Sequence, residues 1–261
     1  MSKALLLIAI LFLVILVGCD NHVADWGSNS QELLIYCGTT MSAAIGGIAD
    51  VFEQRENCRV KIIKGGSGKL YQSIRINQVG DLYSPGSESY MQQCLNENIV
   101  HETRVVGFNQ AALLVAKGNP LAISTDLNNF TNGCYRTVIG ALDSSSIGLE
   151  TEHILGKLGL YQQAVEQVMF FAVDSKDIVQ AVEEKTADRV LNWTAAVLSE
   201  KKNNKVDVLP LNNIIAPLHP LILGVLKTSY DRELARRFIE LAGSEEGQQI
   251  FARYGFYGAI Q

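Results

Sequence analysis

The chain has 261 residues, of which 48% are hydrophobic, 19% charged and 8% aromatic, and this composition excludes an intrinsically disordered protein. Its 22 basic and 27 acidic residues give a formal net charge of −5, which argues against a nucleic-acid partner. Only one long apolar run occurs, at the N-terminus, and this excludes a membrane protein with several spans.

The N-terminus has the pattern of an export signal. Lys3 precedes an apolar run from Ala4 to Val17, which suits the core of a signal peptide and is shorter than a membrane-spanning helix. The run ends in Leu16-Val17-Gly18-Cys19, which resembles the bacterial lipobox. This resemblance implies a signal peptide of residues 1–18 and a lipid anchor on Cys19. The protein would then lie on the periplasmic side, at the outer face of the cytoplasmic membrane. An uncleaved anchor helix is the alternative.

Residues 19–30 are polar and show no hydrophobic period, which predicts a tether. The four cysteines after the tether match no zinc motif: they are Cys37, Cys58, Cys94 and Cys134. The four histidines are scattered as well, so no metal site is predicted. A disulfide between Cys37 and Cys58 and a set of buried free thiols are both compatible with an oxidising compartment.

Short apolar runs alternate with helical patterns, which predicts an open α/β sheet. Strands are predicted at 33–36, 59–63, 81–84, 111–116, 137–140, 169–173, 189–192 and 221–226. Helices are predicted from 42 to about 54, from about 69, and at 88–96, 148–158, 176–184 and 232–242. The first helix would bury Ile45, Ile48, Ala49 and Phe52 on one face.

Three of the strand-to-helix junctions are rich in glycine and hydroxyl side chains. They are Gly38-Thr39-Thr40, Gly65-Gly66-Ser67-Gly68 and the stretch from Asp143 to Gly148. The first amides of a helix lack partners and its dipole is positive there, so each junction suits an anion. Simple N-capping explains any single junction. Because such loops meet at the carboxyl ends of the strands, the three together predict a shared anion site.

Four segments carry a resemblance to a known family: Leu33 to Thr40, Lys64 to Leu70, Gly80 to Tyr83 and Ser244 to Phe256. Over residues 31–257 the sequence resembles a type II periplasmic solute-binding protein, and more closely the molybdate- and tungstate-binding branch of ABC importers. The resemblance implies an α/β fold of two lobes, each an open, mainly parallel sheet flanked by helices. The ligand would bind in the cleft between the lobes, and the protein would be a monomer.

The resemblance also implies a set of ligand-binding residues. Hydroxyls of one lobe and amides or hydroxyls of the other map onto Thr39, Thr40, Ser67, Ser145, Ser146, Ile147 and Ser175. Trp193 stands where the family has a tyrosine, and Asn192 precedes it. Tryptophan donates one hydrogen bond and accepts none, so Asn192 could replace the tyrosine. The Ser144–Ser146 loop also departs from the proline-containing loop usual in molybdate binders.

Charge bears on the ligand independently. The cores of the three junctions contain no arginine, and neutral donors suit a fully deprotonated dianion such as molybdate, tungstate or sulfate. Phosphate and arsenate keep a proton near neutral pH and need an acceptor, which Asp143 could supply if it does not only cap its own turn. Cys37, beside the threonine junction, offers a thiol that could bind trivalent arsenic.

No nucleophile elbow and no P-loop occur in the sequence, so neither an enzyme nor a cofactor is predicted. The prediction is a lipoprotein that delivers molybdate or tungstate to an ABC permease. The alternative is a phosphate- or arsenate-binding sensory component for a membrane histidine kinase. Lobe 1 would comprise residues 31–112 and 221–261, and lobe 2 residues 113–220. The strands near 105–116 and 218–226 would connect them.

Overall fold

The computed structural model describes residues 31–198 and 205–258, so the predicted signal peptide, the Cys19 anchor and the 19–30 tether lie outside the described residues. The strands are β1 (Glu32–Gly38), β2 (Arg59–Gly65), β3 (Leu82–Ser84), β4 (Val100–Ala116), β5 (Thr137–Gly140), β6 (Val168–Ala172), β7 (Arg189–Trp193), β8 (Val206–Pro210) and β9 (Leu218–Leu226). The helices are α1 (Ser42–Glu56), α2 (Ser67–Asn77), α3 (Glu88–Asn96), α4 (Ser146–Lys157), α5 (Tyr161–Val165), α6 (Ser175–Glu183), α7 (Thr194–Leu198), α8 (Arg232–Gly243) and α9 (Glu245–Arg253). Two 3-10 turns lie at Thr39–Met41 and Leu127–Thr131.

The strands form one sheet in the order β2-β1-β3-β9-β4-β7-β5-β6, with β8 pairing beside β4. We call the two halves of this sheet the lobes: the first contains β1, β2, β3 and β9, and the second contains β5, β6, β7 and β8. Strand β4 belongs to both lobes. Its residues Val100 to Gln110 pair with β9, and its residues Ala111 to Ala116 pair with β7 and β8. The strands that lead into the predicted anion loops pair in parallel, β1 with β2 and β3, and β5 with β6 and β7. Their carboxyl ends therefore lie at one edge within each lobe.

Each lobe has its own apolar core. In the first lobe, the predicted face of α1 is buried against β1, β9 and α8: its members are Ile45, Ile48, Ala49 and Phe52. In the second lobe, Val138, Ile178 and Trp193 belong to one buried cluster. Burying one isoleucine, valine or phenylalanine side chain contributes about 1.5–3 kcal/mol, so both clusters stabilise the fold. This two-lobed α/β architecture confirms the predicted fold class.

The structure differs from the sequence prediction mainly where the apolar pattern is weak. Strand β4 begins eleven residues before the predicted start, at Val100, because its first half carries exposed polar side chains such as His101. Strand β8 was not predicted, since its residues are mostly half-buried and one neighbour, β4, holds it. Three helices begin earlier than predicted, α2 at Ser67, α4 at Ser146 and α6 at Ser175. Each shift places a serine in the first position of a helix.

Among the described residues, Cys37, Cys58, Cys94 and Cys134 are all free, and only Cys134 is exposed. The disulfide between Cys37 and Cys58 is therefore not formed. No helix in this part of the chain is long and apolar enough to cross a membrane.

Candidate functional site

The three predicted junctions meet at a small cavity between the lobes. Its volume is about 10 Å³. It is lined by Thr39, Thr40, Gly65, Gly66, Ser67, Gly86, Ser145, Ser146, Asp174 and Ser175. Six of the nine predicted binding residues are in this lining, and they come from both lobes.

On the first-lobe side, Ser67 is held in place by two hydrogen bonds. Its Oγ accepts a hydrogen bond of 2.9 Å from the amide of Gly86, and its carbonyl accepts one of 2.8 Å from the hydroxyl of Tyr83. Burial keeps that tyrosine protonated, because it raises the Tyr83 pKa well above its ordinary value. Since the Ser67 hydroxyl accepts from an amide, its own proton is free for a ligand in the cavity.

On the second-lobe side, helix α4 presents its N-terminus to the cavity. The Ser145 hydroxyl is buried and has no hydrogen-bond partner within 31–198 or 205–258. The amides of Ser146 and Ile147 likewise donate to no acceptor in those ranges. The Ser146 Oγ accepts a hydrogen bond of 3.0 Å from the indole of Trp193. Free first-turn amides and a positive helix end favour an anion at this point.

Asp174 is a cavity residue that the sequence analysis missed. It caps helix α6, where its Oδ1 accepts from the amides of Lys176 at 2.8 Å and Asp177 at 3.2 Å. Its Oδ2 accepts a hydrogen bond of 2.9 Å from the Thr39 hydroxyl of the other lobe. The sequence contained a usable signal, because an aspartate directly before a predicted helix is typical of an N-cap.

Three predicted residues do not line the cavity: Ile147, Asn192 and Trp193. The Ile147 side chain lies in the second-lobe core, so that only its amide can face a ligand. The Asn192 side chain donates to the carbonyl of Ser175 at 2.8 Å and accepts from the amide of Trp193 at 2.8 Å. Asn192 and Trp193 therefore hold the walls of the cavity in position.

The lobes meet through backbone atoms next to the cavity. The amide of Gly68 donates to the carbonyl of Ser144 at 2.9 Å, and the Tyr90 hydroxyl donates to the carbonyl of Leu142 at 3.0 Å. Burial, followed by the charge of Asp143, raises the pKa of Tyr90 to about 12, so its hydroxyl remains a donor. A Cβ atom on Gly68 would lie 2.1 Å from the Asp143 carbonyl oxygen, so only glycine permits this approach.

A larger chamber of about 340 Å³ adjoins the cavity on the side of Thr39 and Asp174, which line both spaces. Lys64 and Lys176 also line the chamber, one from each lobe, and both are exposed. The chamber therefore carries two cations at the approach to the hydroxyl-lined cavity.

Residues 33–257 match the family model described as bacterial extracellular solute-binding protein. The chain belongs to this family. It is 23% identical over 248 residues to YvgL of Bacillus subtilis (strain 168), and the match covers 93% of each chain. The name of that relative describes it as a substrate-binding lipoprotein of an ABC transporter. Membership implies a ligand and a membrane permease as partners of this solute-binding protein.

Solved structures share the fold at low identity. The sulfate-binding protein SubI from Mycobacterium tuberculosis H37Rv has a TM-score of 0.79 at 13% identity, over 88% of this chain and 87% of that one. The periplasmic molybdate-binding protein of Azotobacter vinelandii has a TM-score of 0.72 at 15% identity, over 87% of this chain and 100% of that one. These matches support the type II periplasmic binding-protein fold.

Two side chains considered for ligand chemistry lie outside both spaces of the solute-binding protein. Asp143 is exposed and lines neither the cavity nor the chamber. Cys37 is fully buried and lines neither of them. Burial raises the pKa of its thiol to about 12, although a hydrogen bond with Ser84 and the charge of Lys64 lower it. Its thiolate is therefore not present for ligand chemistry at neutral pH.

Proposed function

We propose that this protein captures a tetrahedral oxyanion, molybdate or tungstate, and delivers it to an ABC permease. The observation that carries the proposal is a cavity lined by hydroxyl-bearing residues of both lobes. Thr39, Thr40 and Ser67 come from one lobe, and Ser145, Ser146 and Ser175 from the other. Closure of the lobes would enclose the anion among neutral donors and exclude water.

The buried Ser145 hydroxyl supports an anion in particular. A buried polar atom without a partner costs about 1–3 kcal/mol, and an oxyanion oxygen would accept its proton. The free amides of Ser146 and Ile147 would donate to the same ligand. A four-oxygen anion can accept from all three donors together, which a single water cannot do.

The hydrogen-bonding groups of the lining favour an anion that carries no proton. No lysine or arginine lines the small cavity, and its one carboxylate, Asp174, already accepts from Thr39 and two amides. An anion that carries a proton would have to displace one of these donors. Resemblance to molybdate-binding proteins supports molybdate and tungstate within the dianion class.

The phosphate and arsenate alternative now rests on Asp174 instead of Asp143. Asp174 is the carboxylate of the cavity, and its Oδ2 would accept the proton of a monohydrogen oxyanion if Thr39 turned away. That ligand class would accompany the alternative role as the sensory component of a membrane histidine kinase. The predicted lobe limits, 31–112 with 221–261 and 113–220, belong to the proposal in either case.

Calorimetric titration of the chain from Asp20 onward tests the ligand. The titrants are molybdate, tungstate, sulfate, phosphate and arsenate, each against wild type, Ser145→Ala and the control Ser73→Ala, a half-buried serine that lines neither the cavity nor the chamber. Tight binding of molybdate and tungstate, weakened in Ser145→Ala only, supports the proposal. If only phosphate and arsenate bind, the alternative ligand class is supported. If none of the five anions gives a heat of binding, an oxyanion site is contradicted.

We further propose that Cys19 carries the lipid anchor and keeps the protein on the periplasmic side of the membrane. Expression of full-length wild type, Cys19→Ser and Cys134→Ser in a bacterial host, followed by fractionation, tests this. Cys19→Ser should leave the membrane fraction, whereas Cys134→Ser should remain there with wild type. Retention of Cys19→Ser in the membrane fraction would favour the uncleaved anchor helix.

A further inference from the structure

A polar cluster outside the cavity lining joins the two lobes. His219, at the start of β9, has its Nε2 3.0 Å from Glu150 Oε1 and its Nδ1 3.6 Å from Glu88 Oε1. Glu88 begins α3 of the first lobe, and Glu150 lies on α4 of the second. The side chains of His219 and Glu150 are 14% and 8% exposed, so a charge on either one needs a partner.

The surroundings of the imidazole are otherwise uncharged. On β4 its cross-strand neighbour is Asn109, and the indole of Trp193 on β7 packs edge-on against it, with ring centroids 5.7 Å apart. Glu88 from α3 and Glu150 from α4 are the charged groups that face His219 in the described part of the chain. The same indole donates to Ser146 in the cavity. His219 is thus two contacts away from a proposed ligand donor.

The closed arrangement favours a proton on His219. Burial lowers its pKa, but the close contact with Glu150 and the charges of Glu150 and Glu88 outweigh burial and raise the pKa above its ordinary value. When the lobes separate, His219 cannot keep both carboxylates, because Glu88 lies on α3 of the first lobe and Glu150 on α4 of the second. The open form therefore loses part of this stabilisation of the charged ring.

We propose that His219 is a positioning residue that ties Glu88 of one lobe to Glu150 of the other, so that ligand capture strengthens as the pH falls. The proposal rests on the proposed function, since it needs a ligand that closes the lobes. The closed form binds the proton more tightly than the open form. The contribution is therefore complete below the open-state pKa and is lost as the pH rises through the higher closed-state pKa.

The test is a titration with sodium molybdate at several pH values from about 6 to about 8.5, which brackets the ordinary range of histidine. It uses the chain from Asp20 onward as wild type, His219→Gln and the control His153→Gln, whose histidine is exposed on α4. The Kd of wild type and control should rise about fivefold over this range, as expected for one ion pair made on closure. In His219→Gln the Kd should stay constant, and an unchanged pH slope there would overturn the inference.

A second variant guards against misfolding of His219→Gln. Glu150→Gln keeps the shape of the side chain and removes the charge, and it should flatten the pH slope as well. If molybdate binds wild type at no pH, the proposed function fails for this ligand, and NMR titrations of His219 in ligand-free wild type, Glu88→Gln and Glu150→Gln then decide. Because the open form still keeps one carboxylate beside the ring, a midpoint lowered by either variant supports the tie, and a midpoint unchanged in both contradicts it.

Discussion

The hydroxyl of Thr39 donates to the carboxylate of Asp174 over 2.9 Å, and this hydrogen bond runs from one lobe to the other. Both residues line the small cavity and also the larger chamber beside it. The pair therefore stands between the two spaces. A ligand that enters from the chamber would come close to this pair, and a bound oxyanion would compete with Asp174 for the Thr39 proton.

Thr39→Val should weaken oxyanion binding by about tenfold or more, because a hydrogen bond to a charged group contributes about 1.5–3 kcal/mol. Valine keeps the volume of threonine and removes only the hydroxyl. Calorimetric titration measures the effect, with Thr131→Val as the control, since the Thr131 hydroxyl donates to an exposed backbone carbonyl away from the cleft. Equal affinities of the two variants would remove Thr39 from the binding site.

Asp174→Asn should separate the two ligand classes. Asparagine still caps α6, so we expect little change in the free energy of unfolding. A sulfate or molybdate dianion should bind at least about fivefold more tightly, because two unit charges 4 Å apart repel by about 1 kcal/mol even in water. Asp177→Asn makes the same change of charge on the exposed face of α6 and serves as the control. A loss of phosphate or arsenate binding in Asp174→Asn would instead support the alternative ligand.

Trp193→Phe should lower ligand affinity and stability together. It removes the indole N–H that donates to Ser146 and leaves that buried hydroxyl without its partner, at a cost of about 1 kcal/mol. Thermal unfolding with and without molybdate separates the two effects. A variant with wild-type affinity and a lower Tm would show that Trp193 supports the core without positioning Ser146.

Gly68→Ala should prevent full closure, because the added Cβ would lie 2.1 Å from the Asp143 carbonyl oxygen and 2.6 Å from the Tyr90 hydroxyl. Small-angle X-ray scattering with saturating ligand should give a larger radius of gyration than wild type, and the Kd should rise. Gly46→Ala, in α1, is the control, since a Cβ there meets nothing within 4 Å and should stabilise its helix by about 0.5–1 kcal/mol. A Gly68→Ala protein that closes like wild type would contradict this geometry.

Thiol labelling checks the cysteine environments in the chain from Asp20 onward. Cys134 is exposed and should react in the native state, whereas Cys37, Cys58 and Cys94 are buried and should react only after unfolding. Burial raises the pKa of Cys94 to about 12, with a further contribution from Glu97, which suppresses its thiolate as well. Fewer than four reactive thiols after unfolding without a reductant would indicate a disulfide.

The sequence predicted the structure correctly where a pattern had one dominant physical cause. Helix α3 has the predicted limits, and the predicted apolar face of α1 is buried, because a hydrophobic period of 3.6 residues lines up on one face of a helix and of no strand. The glycine and hydroxyl junctions do converge on one cavity, since parallel strands deliver their carboxyl ends to one edge. Their roles in ligand binding remain predictions.

The sequence did not predict features that depend on contacts between residues far apart in the chain. The hydrogen bond between Thr39 and Asp174 joins residues 135 positions apart, and no local pattern in the sequence predicts it. Trp193 could be matched to a family tyrosine, but its burial and its donation to Ser146 depend on how α4 packs beside β7. Strand β8 depends on pairing with β4 and carries no pattern of its own.

The contact between Gly68 and Ser144 also affects how the protein distinguishes anions of different size. Backbone atoms have no rotamers, so this part of the closing surface cannot reshape itself around a bulkier anion. An ion that is too large would prevent the Gly68–Ser144 hydrogen bond from forming and would keep the lobes partly open. A protein that holds such an ion would then present a different surface to its permease. The wrong ion could therefore be rejected when the protein docks on the permease, as well as when the ion binds.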